Sequence, residues 1–298
     1  MTAKQKQTKK TQAKKVTTTR VTSKKDNHWL SPEAFIILAV MFVVVESIGL
    51  FVAHTLFVQG LAQTSFTGNI EDVENSLILF AVMMVMTIFT LIMMRLNKTK
   101  KILWLIEALA VFSTSIIVFS AFFPTDDLMV LLITIALMAW RYTHREDLIF
   151  RNIISLIAIA GAGAFLGLSF GLLPVLAFII LLSIYDIIAV FYTKHMVEIG
   201  QTATKNNFAF TVAIPTEKHK FELGNGDLVI PLVVATSILI NGPFHNNGIV
   251  AGLVLGASFI GLMSSIYSVS IGKKPLPALP PQTALMIIVI IASLLLGA

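Results

Sequence analysis

Residues 173–192 read LPVLAFIILLSIYDIIAVFY, and Asp186 is the only charged side chain among them. A run of about 20 apolar residues is long enough to cross the hydrocarbon core of a bilayer as one α-helix. A carboxylate inside such a helix costs free energy and therefore needs a reason to be there. Taken alone, Asp186 leaves two interpretations open, a hydrogen bond between helices and catalysis.

The composition of the whole chain is that of a membrane protein. Hydrophobic residues make up 56% of the 298 positions and charged residues 13%, and the mean hydropathy is +0.85. Soluble domains carry about 25% charged residues. Nine apolar blocks predict nine transmembrane helices, at residues 34–58, 76–94, 102–123, 128–140, 153–171, 173–192, 227–240, 248–268 and 281–296. The fourth and seventh blocks are short for a hydrocarbon core about 30 Å thick.

The basic residues are concentrated on one side of the predicted topology. Residues 1–30 hold nine Lys and Arg and one acid, so we expect a disordered tail that contacts anionic lipid and does not bind nucleic acid. The 22 Lys and Arg all fall in this tail or in every second connection between helices. Because basic residues stay on the cytoplasmic side, the N-terminus is predicted to be cytoplasmic and the C-terminus outside.

Two further acids inside predicted helices have structural explanations. Glu107 lies near the cytoplasmic end of the third helix, where we expect its side chain to extend toward Lys101 or Arg95. Glu46 lies in the middle of the first helix with no cation nearby, so we expect it to be protonated and hydrogen-bonded between helices. The chain has no cysteine, and its six histidines show no ligand spacing, so neither a metal nor another cofactor is expected.

Asp227 lies in the string FELGNGDLVIP, residues 221–231. Two glycines before an acid at a helix start let the backbone approach another group closely and adopt conformations closed to other residues. Pro231 lacks the amide that would bond the carbonyl of Asp227. The same string is also typical of an Asn-Gly turn in which the acid merely caps a helix. Asp186 and Asp227 lie toward the cytoplasmic ends of consecutive antiparallel helices, so we expect them to face one another.

Two facing carboxylates that share one proton can hydrolyse a peptide bond, because one polarises the carbonyl while the other activates water. Three motifs here resemble the hallmarks of the presenilin and signal peptide peptidase family of intramembrane aspartyl proteases. They stand in the expected order in the sixth helix, in the seventh helix and before the ninth helix, as Tyr185-Asp186, Gly224-Asn225-Gly226-Asp227 and Pro277-Ala278-Leu279.

This resemblance implies an all-α, presenilin-like protease domain over residues 34–297, of the microbial, archaeal type, in the plasma membrane of a prokaryote. It implies that Asp186 and Asp227 are catalytic and that no cofactor is needed. The implied substrates are single-span transmembrane helices of membrane proteins or remnants of signal peptides. Asn225 stands where many members of the family carry Leu. The residues expected to contact substrate are Tyr185, Gly224, Gly226, Pro277, Ala278 and Leu279.

A strand pattern interrupts the polar loop between the sixth and seventh helices and predicts a short β element there. In NFAFTVAIP, residues 207–215, large apolar side chains alternate with small or polar ones until Pro215 ends the run. One interpretation is a short hairpin that covers the mouth of the site. We favour another, in which Phe210 and Val212 belong to a strand whose free edge pairs with unwound substrate, because amides left unpaired in lipid are costly.

Glycines recur every four residues in two of the predicted helices, which predicts faces for close helix packing. Other function classes remain open at this stage. A leader peptidase of the prepilin or preflagellin type would cut just outside the membrane, and a transporter or ion leak would use the acids as a proton or cation path. Association of the protein with itself is also left open. The glycine faces are Gly163, Gly167 and Gly171 in the fifth helix, and Gly248, Gly252 and Gly256 in the eighth.

Overall fold

The structure, a computed structural model, describes six segments of the chain. The predicted basic tail, residues 1–30, lies outside them, so its expected disorder stays a prediction. The described residues are 32–60, 65–95, 99–193, 207–215, 220–272 and 276–297.

Within these segments the chain forms nine α-helices and one β-hairpin, and each helix corresponds to one predicted apolar block. A π-helical stretch, Ile188–Thr193, extends α6, and the hairpin consists of β1, Thr211–Pro215, and β2, Lys220–Gly224. The helices are α1 Pro32–Val58, α2 Glu74–Arg95, α3 Thr99–Phe122, α4 Asp127–Thr143, α5 Leu148–Ser169, α6 Leu172–Ile187, α7 Gly226–Asn241, α8 Asn247–Gly272 and α9 Leu279–Leu296.

Seven helices in the described part of the chain are long and apolar enough to cross a membrane, which makes the fold that of a multi-pass membrane protein. Helix α6 is counted here with its π-helical extension, as Leu172–Tyr192. The other two are α4 with 17 residues and α7 with 16. They correspond to the fourth and seventh predicted spans, the two that are short for the hydrocarbon core. The number of nine spans therefore stays a prediction.

Helix α7 lies at the centre of the bundle and contacts α1, α5, α6 and α8. Its residues from Ile230 to Ile238 are all buried. A helix that is apolar on every side is buried on every side by its neighbours. The helix that begins at Gly226 is therefore held by protein around its circumference, and Asp227 lies in its first turn.

The predicted glycine face of α5 is confirmed at two of its three positions. A side-chain carbon at Gly163 would lie 2.5 Å from Cδ2 of Leu232, and one at Gly167 would overlap Thr236, so both glycines let α5 approach α7 closely. Gly171 instead follows α5 and lies against the Glu71 carboxylate. Helix α1 approaches in the same way, because a side-chain carbon at Gly49 would also overlap Leu232.

The predicted glycine face of α8 is wrong. Among the described residues, a side-chain carbon at Gly252 or Gly256 would meet nothing within 4 Å, and both glycines are exposed, while one at Gly248 would make only an ordinary contact. The close approach of α8 occurs at Gly261, against the backbone of Gln282 in α9. Five residues separate Gly256 from Gly261, which is a rotation of about 140° around the helix. The repeating glycines thus lie on a different face from the one that packs.

Candidate active site

The two predicted catalytic aspartates lie at the ends of adjacent helices. Asp186 is in the last turn of α6 and is 6% exposed, while Asp227 is the second residue of α7 and is partly buried. Helices α6 and α7 contact one another, and the two carboxyl groups are near enough to interact electrostatically. Asp186 also lies just before the π-helical extension of α6, a local geometry that is frequent at functional sites.

The Pro-Ala-Leu segment lies against Asp186. The amide of Leu279 donates to Oδ2 of Asp186 at 3.2 Å, and the amide of Ala278 is a second backbone donor to the same carboxyl group. Ala278 is the N-cap of α9, so these donors belong to a helix N-terminus, which attracts negative charge. Pro277, just before them, is partly buried. The structure thus brings the motif to one side of Asp186.

Asp227 is not the cap of its helix, so the helix-cap interpretation is wrong. The N-cap is Asn225, and the helix begins at Gly226. A side-chain carbon at Gly224 would lie 3.5 Å from Oδ2 of Asp227, while one at Gly226 would meet no other described residue within 4 Å apart from its chain neighbours. Neither glycine has positive φ. The expected special backbone conformation is therefore not present, and Gly224 instead leaves the adjacent side of the Asp227 carboxyl group free of a side chain.

Tyr185 connects α6 to α2. Its ring makes an edge-to-face contact with Phe80, with 6.1 Å between the ring centres. Its hydroxyl group forms a hydrogen bond with the side chain of Thr87. The residue before Asp186 is thus packed against a neighbouring helix, and the structure gives it a packing contact in addition to its position beside the aspartate.

The hairpin corrects the prediction of a free strand edge. β1 pairs with β2 in antiparallel register, with Val212 opposite Leu223. On the other side of β1, the amide of Ala213 donates to Oδ1 of Asn152 at 2.9 Å, and the Ala213 carbonyl accepts from Nδ2 at 2.6 Å. The Asn152 side chain on α5 thus occupies the position of a neighbouring strand. Because both edges of β1 are occupied and Val212 is fully buried, the predicted free edge is wrong, and pairing of substrate with it has no support.

Phe210 lies in the turn before β1 and is partly buried. Its ring packs on that of Phe208, with 5.7 Å between the ring centres, and its carbonyl accepts from the amide of Asn225 at 3.1 Å. This residue therefore contacts the Gly-Asn-Gly-Asp segment through its backbone. The predicted substrate contact of its side chain has no support in this geometry.

Glu107 is part of a buried ion pair that sequence reasoning missed. Its Oε1 accepts from Nε of Arg141 at 3.0 Å and from Nη2 at 2.8 Å, and both side chains are buried. The expected extension toward Lys101 or Arg95 is therefore wrong. Arg141 is 34 residues away in sequence, but α3 and α4 pack against one another, and this contact has no signal in the hydropathy pattern.

A second buried ion pair fixes β2. Arg151, on α5, is 1% exposed, and its Nη2 donates to Oε1 of Glu222 at 3.1 Å. The other carboxylate oxygen of Glu222 accepts from Oγ1 of Thr211 at 2.7 Å. A basic residue just before an apolar block was the only sequence signal of this pair. The ion pair attaches the hairpin to α5, the same helix that covers the edge of β1.

Glu46 is buried, and neither of its carboxyl oxygens has a hydrogen-bond partner among the described residues. The expected hydrogen bond between helices is therefore wrong for this part of the chain. The helix that carries Glu46 contacts α3, α5 and α7, so the carboxyl group lies inside the bundle and away from lipid.

Residues 39–297 match the sequence profile of a protein family described as signal-peptide peptidase, presenilin aspartyl protease. The chain belongs to this family. The match begins in α1 and ends just after α9, so it covers every helix of the fold. The resemblance seen in the three motifs is thereby confirmed, and the protein is an integral multi-pass membrane protein of an aspartyl protease family.

Two solved structures of a presenilin family intramembrane aspartate protease, in space groups C222 and P2, are similar in fold. They share 22% and 23% of their residues with this chain, with TM-scores of 0.66 and 0.65. The similarity covers 88% and 90% of this chain and 99% of each of those chains. The predicted presenilin-like fold is therefore confirmed. No curated protein sequence matches the chain.

Proposed function

We propose that this presenilin-family protein is an intramembrane aspartyl endopeptidase of the Gly-x-Gly-Asp type, in which Asp186 and Asp227 are the catalytic pair. The observation that carries the proposal is the position of two carboxyl groups at the ends of helices that contact one another inside a membrane protein, near enough to interact electrostatically. Two acids in such a setting cannot both ionise cheaply, so they share a proton. That arrangement supplies an acid and a base at one place.

In the proposed reaction the ionised carboxylate removes a proton from water as the water oxygen attacks the scissile carbonyl carbon. The protonated carboxyl group gives its proton to the carbonyl oxygen, which produces a tetrahedral gem-diol. The carbon–nitrogen bond then breaks as the nitrogen accepts a proton from the carboxyl group that deprotonated the water. The carboxyl group that protonated the carbonyl oxygen takes back a proton from the diol, which leaves a new carboxyl terminus and a new amino terminus. The two roles belong to the coupled pair as a unit.

The backbone amides at the start of α9 support this scheme. Donors from Ala278 and Leu279 hold the Asp186 carboxyl group in one orientation, so it does not have to be oriented during the reaction. Gly224 places no side chain next to the Asp227 carboxyl group, which favours close approach of a substrate backbone there. A helical substrate exposes its backbone only after local unwinding, and this is the proposed form in which a transmembrane segment is cut.

The proposed topology has nine spans, with the N-terminus in the cytoplasm and the C-terminus outside, in the plasma membrane of a prokaryote. Its support is the placement of all 22 Lys and Arg in the N-terminal tail, or within or next to every second connection between helices. The proposed substrates are single-span helices of membrane proteins and remnants of signal peptides, taken up from the surrounding bilayer.

The test is cleavage of a single-span helical substrate by the purified protein in liposomes. Asp186→Asn and Asp227→Asn are each expected to abolish hydrolysis while the protein stays folded. Asp127→Asn is the matched control, because Asp127 is an exposed acid in the first turn of α4. Normal turnover by either active-site variant contradicts the proposal. Mass spectrometry of the products places the cut, and a cut just outside the membrane would indicate a leader peptidase. Ion flux without any cleavage would indicate a channel or transporter.

A further inference from the structure

Asn225, the residue between the two glycines before Asp227, uses its side chain in an unusual way. An Asn at a helix N-cap ordinarily accepts a hydrogen bond from an amide of the first turn. The Asn225 side chain makes no such bond. Its Nδ2 instead donates to the carbonyl of Ala209 at 2.8 Å, and its backbone amide donates to the carbonyl of Phe210 at 3.1 Å. The start of α7 is thus attached to the segment before β1.

Ala209 is itself held from several directions. Its amide donates to Oε1 of Glu107 at 3.2 Å, and its carbonyl also accepts from Oγ of Ser155 at 3.2 Å. Glu107 is bound by Arg141, which in addition donates to the carbonyl of Asn207. The segment from Asn207 to Ala209 is therefore fixed to α3, α4 and α5. They provide a rigid point of attachment for whatever binds them.

The first turn of α7 needs such an attachment. Asn225 has a glycine on each side, and glycine restricts the backbone least of all residues. Pro231 lies inside the helix and has no amide to donate to the carbonyl of Asp227, so one hydrogen bond of the first turn is missing. Gly226 has no side chain. The side chain of Asn225 is therefore the nearest one before Asp227 that can bond another segment of the protein.

We infer that Asn225 is a positioning residue, which holds Asp227 in place opposite Asp186 by bonding the fixed carbonyl of Ala209. This inference rests on the proposed proteolytic function. The Asn225 side chain does not touch the reacting atoms. Its contribution is to restrict the position of the helix start that carries Asp227, which matters because a displacement of about 1 Å can lower a rate about 100-fold.

The first test compares Asn225→Leu with the parent in the liposome cleavage assay. Leu branches at the same carbon as Asn but cannot donate a hydrogen bond. We expect kcat to fall between about fivefold, the effect of one hydrogen bond, and about 100-fold, the effect of misplacement, with KM near that of the parent. Asn247→Leu is the matched control, because Asn247 bonds the Gly242 carbonyl at 3.0 Å beyond the other end of α7. It is expected to lower the unfolding temperature without lowering kcat.

The second test uses Asn225→Asp, which has the shape of the native side chain. A protonated Asp donates to the Ala209 carbonyl, whereas an ionised one repels it. The ratio of kcat for Asn225→Asp to kcat for Asn225→Leu is therefore expected to rise as pH falls. A purely structural role in folding would leave this ratio constant across pH. If Asn225→Leu fails to fold, kcat for Asn225→Asp is compared with that of the parent instead, because Asp has nearly the same shape as Asn, and this ratio is likewise expected to rise as pH falls.

The third test is the coupling between Asn225 and Glu107, which bind opposite sides of Ala209. If they act through one attachment, the double variant Glu107→Gln with Asn225→Leu loses less kcat than the product of the two single losses. Parental kcat in Asn225→Leu, a kcat in Asn247→Leu that is equally low, or a constant Asp-to-Leu ratio overturns the inference. Absence of cleavage by the parent, or cleavage by Asp227→Asn, overturns the proposed function instead.

Discussion

Removal of Arg141 is expected to destabilise the protein strongly, because it leaves a buried carboxylate without its counter-ion. In the structure Oε1 of Glu107 accepts two hydrogen bonds from the Arg141 guanidinium group and one from the amide of Ala209. The variant Arg141→Met keeps an unbranched side chain but leaves only the amide at that oxygen. Loss of one partner from a buried ion pair costs about 3–5 kcal/mol, and we expect the free energy of unfolding to fall by that amount.

The double variant Glu107→Leu with Arg141→Met distinguishes the cost of the unpaired charge from the other costs of losing Arg141. It removes the uncompensated carboxylate, and the main remaining cost is the buried amide of Ala209 without an acceptor, about 1–3 kcal/mol. The double variant is therefore expected to be more stable than Arg141→Met alone. This order is the reverse of what two independent losses would produce.

The assay is equilibrium unfolding of the purified protein in mixed detergent micelles, followed by helical circular dichroism. Lys101→Met is the matched control, because Lys101 is close to Glu107 in sequence but is exposed in the structure. Its effect is expected to stay within about 0.5 kcal/mol. A change of less than about 1 kcal/mol for Arg141→Met would refute the reasoning, since that is the size of an exposed ion pair. So would a Lys101→Met variant as unstable as Arg141→Met.

Three other properties can be measured directly. The pH profile of kcat/KM should be bell-shaped, because both carboxyl groups are protonated at low pH and both are ionised at high pH; a rate that rises steadily into alkaline pH would contradict a shared proton. The chain has no cysteine, so a single cysteine at Thr99 should react with an impermeant reagent from the cytoplasm and one at Asn69 from outside; the opposite pattern would invert the topology. Gly167→Val should lower the free energy of unfolding by about 1–3 kcal/mol through overlap with α7, while Gly252→Val should change it by no more than about 0.5 kcal/mol; equal losses would contradict the packing described for α5.

Helix positions were the most predictable part of the fold, because the bilayer imposes a length and a polarity on each span. The start of α5 shows where this reasoning fails. Hydropathy places it at residue 153, but the helix begins at Leu148, since Asp147 caps it and the charge of Arg151 is neutralised by Glu222. A charged residue that is paired inside the protein is counted by hydropathy as if it faced water.

The candidate site was predictable for a different reason. Asp186 and Asp227 are acids in apolar surroundings, and such residues stand out in a sequence. Side-chain partners from distant segments do not stand out. The bonds from Asn152 to β1 join residues 61 positions apart, and no local pattern indicates that a helix covers a strand edge. The predicted packing of the repeating α8 glycines was wrong for a related reason. Their spacing shows that they share one face of the helix, but it does not show whether that face contacts another helix.

The Leu232 side chain fills the gaps left by two glycines at once, Gly49 on α1 and Gly163 on α5. One residue therefore sets the separation of three helices. A larger residue at either glycine is compatible with the bundle only together with a smaller residue at position 232, and that smaller residue would leave a void beside the other glycine. Among homologous chains, these three positions should consequently change as a set, and a substitution at one of them should limit which residues the other two can carry.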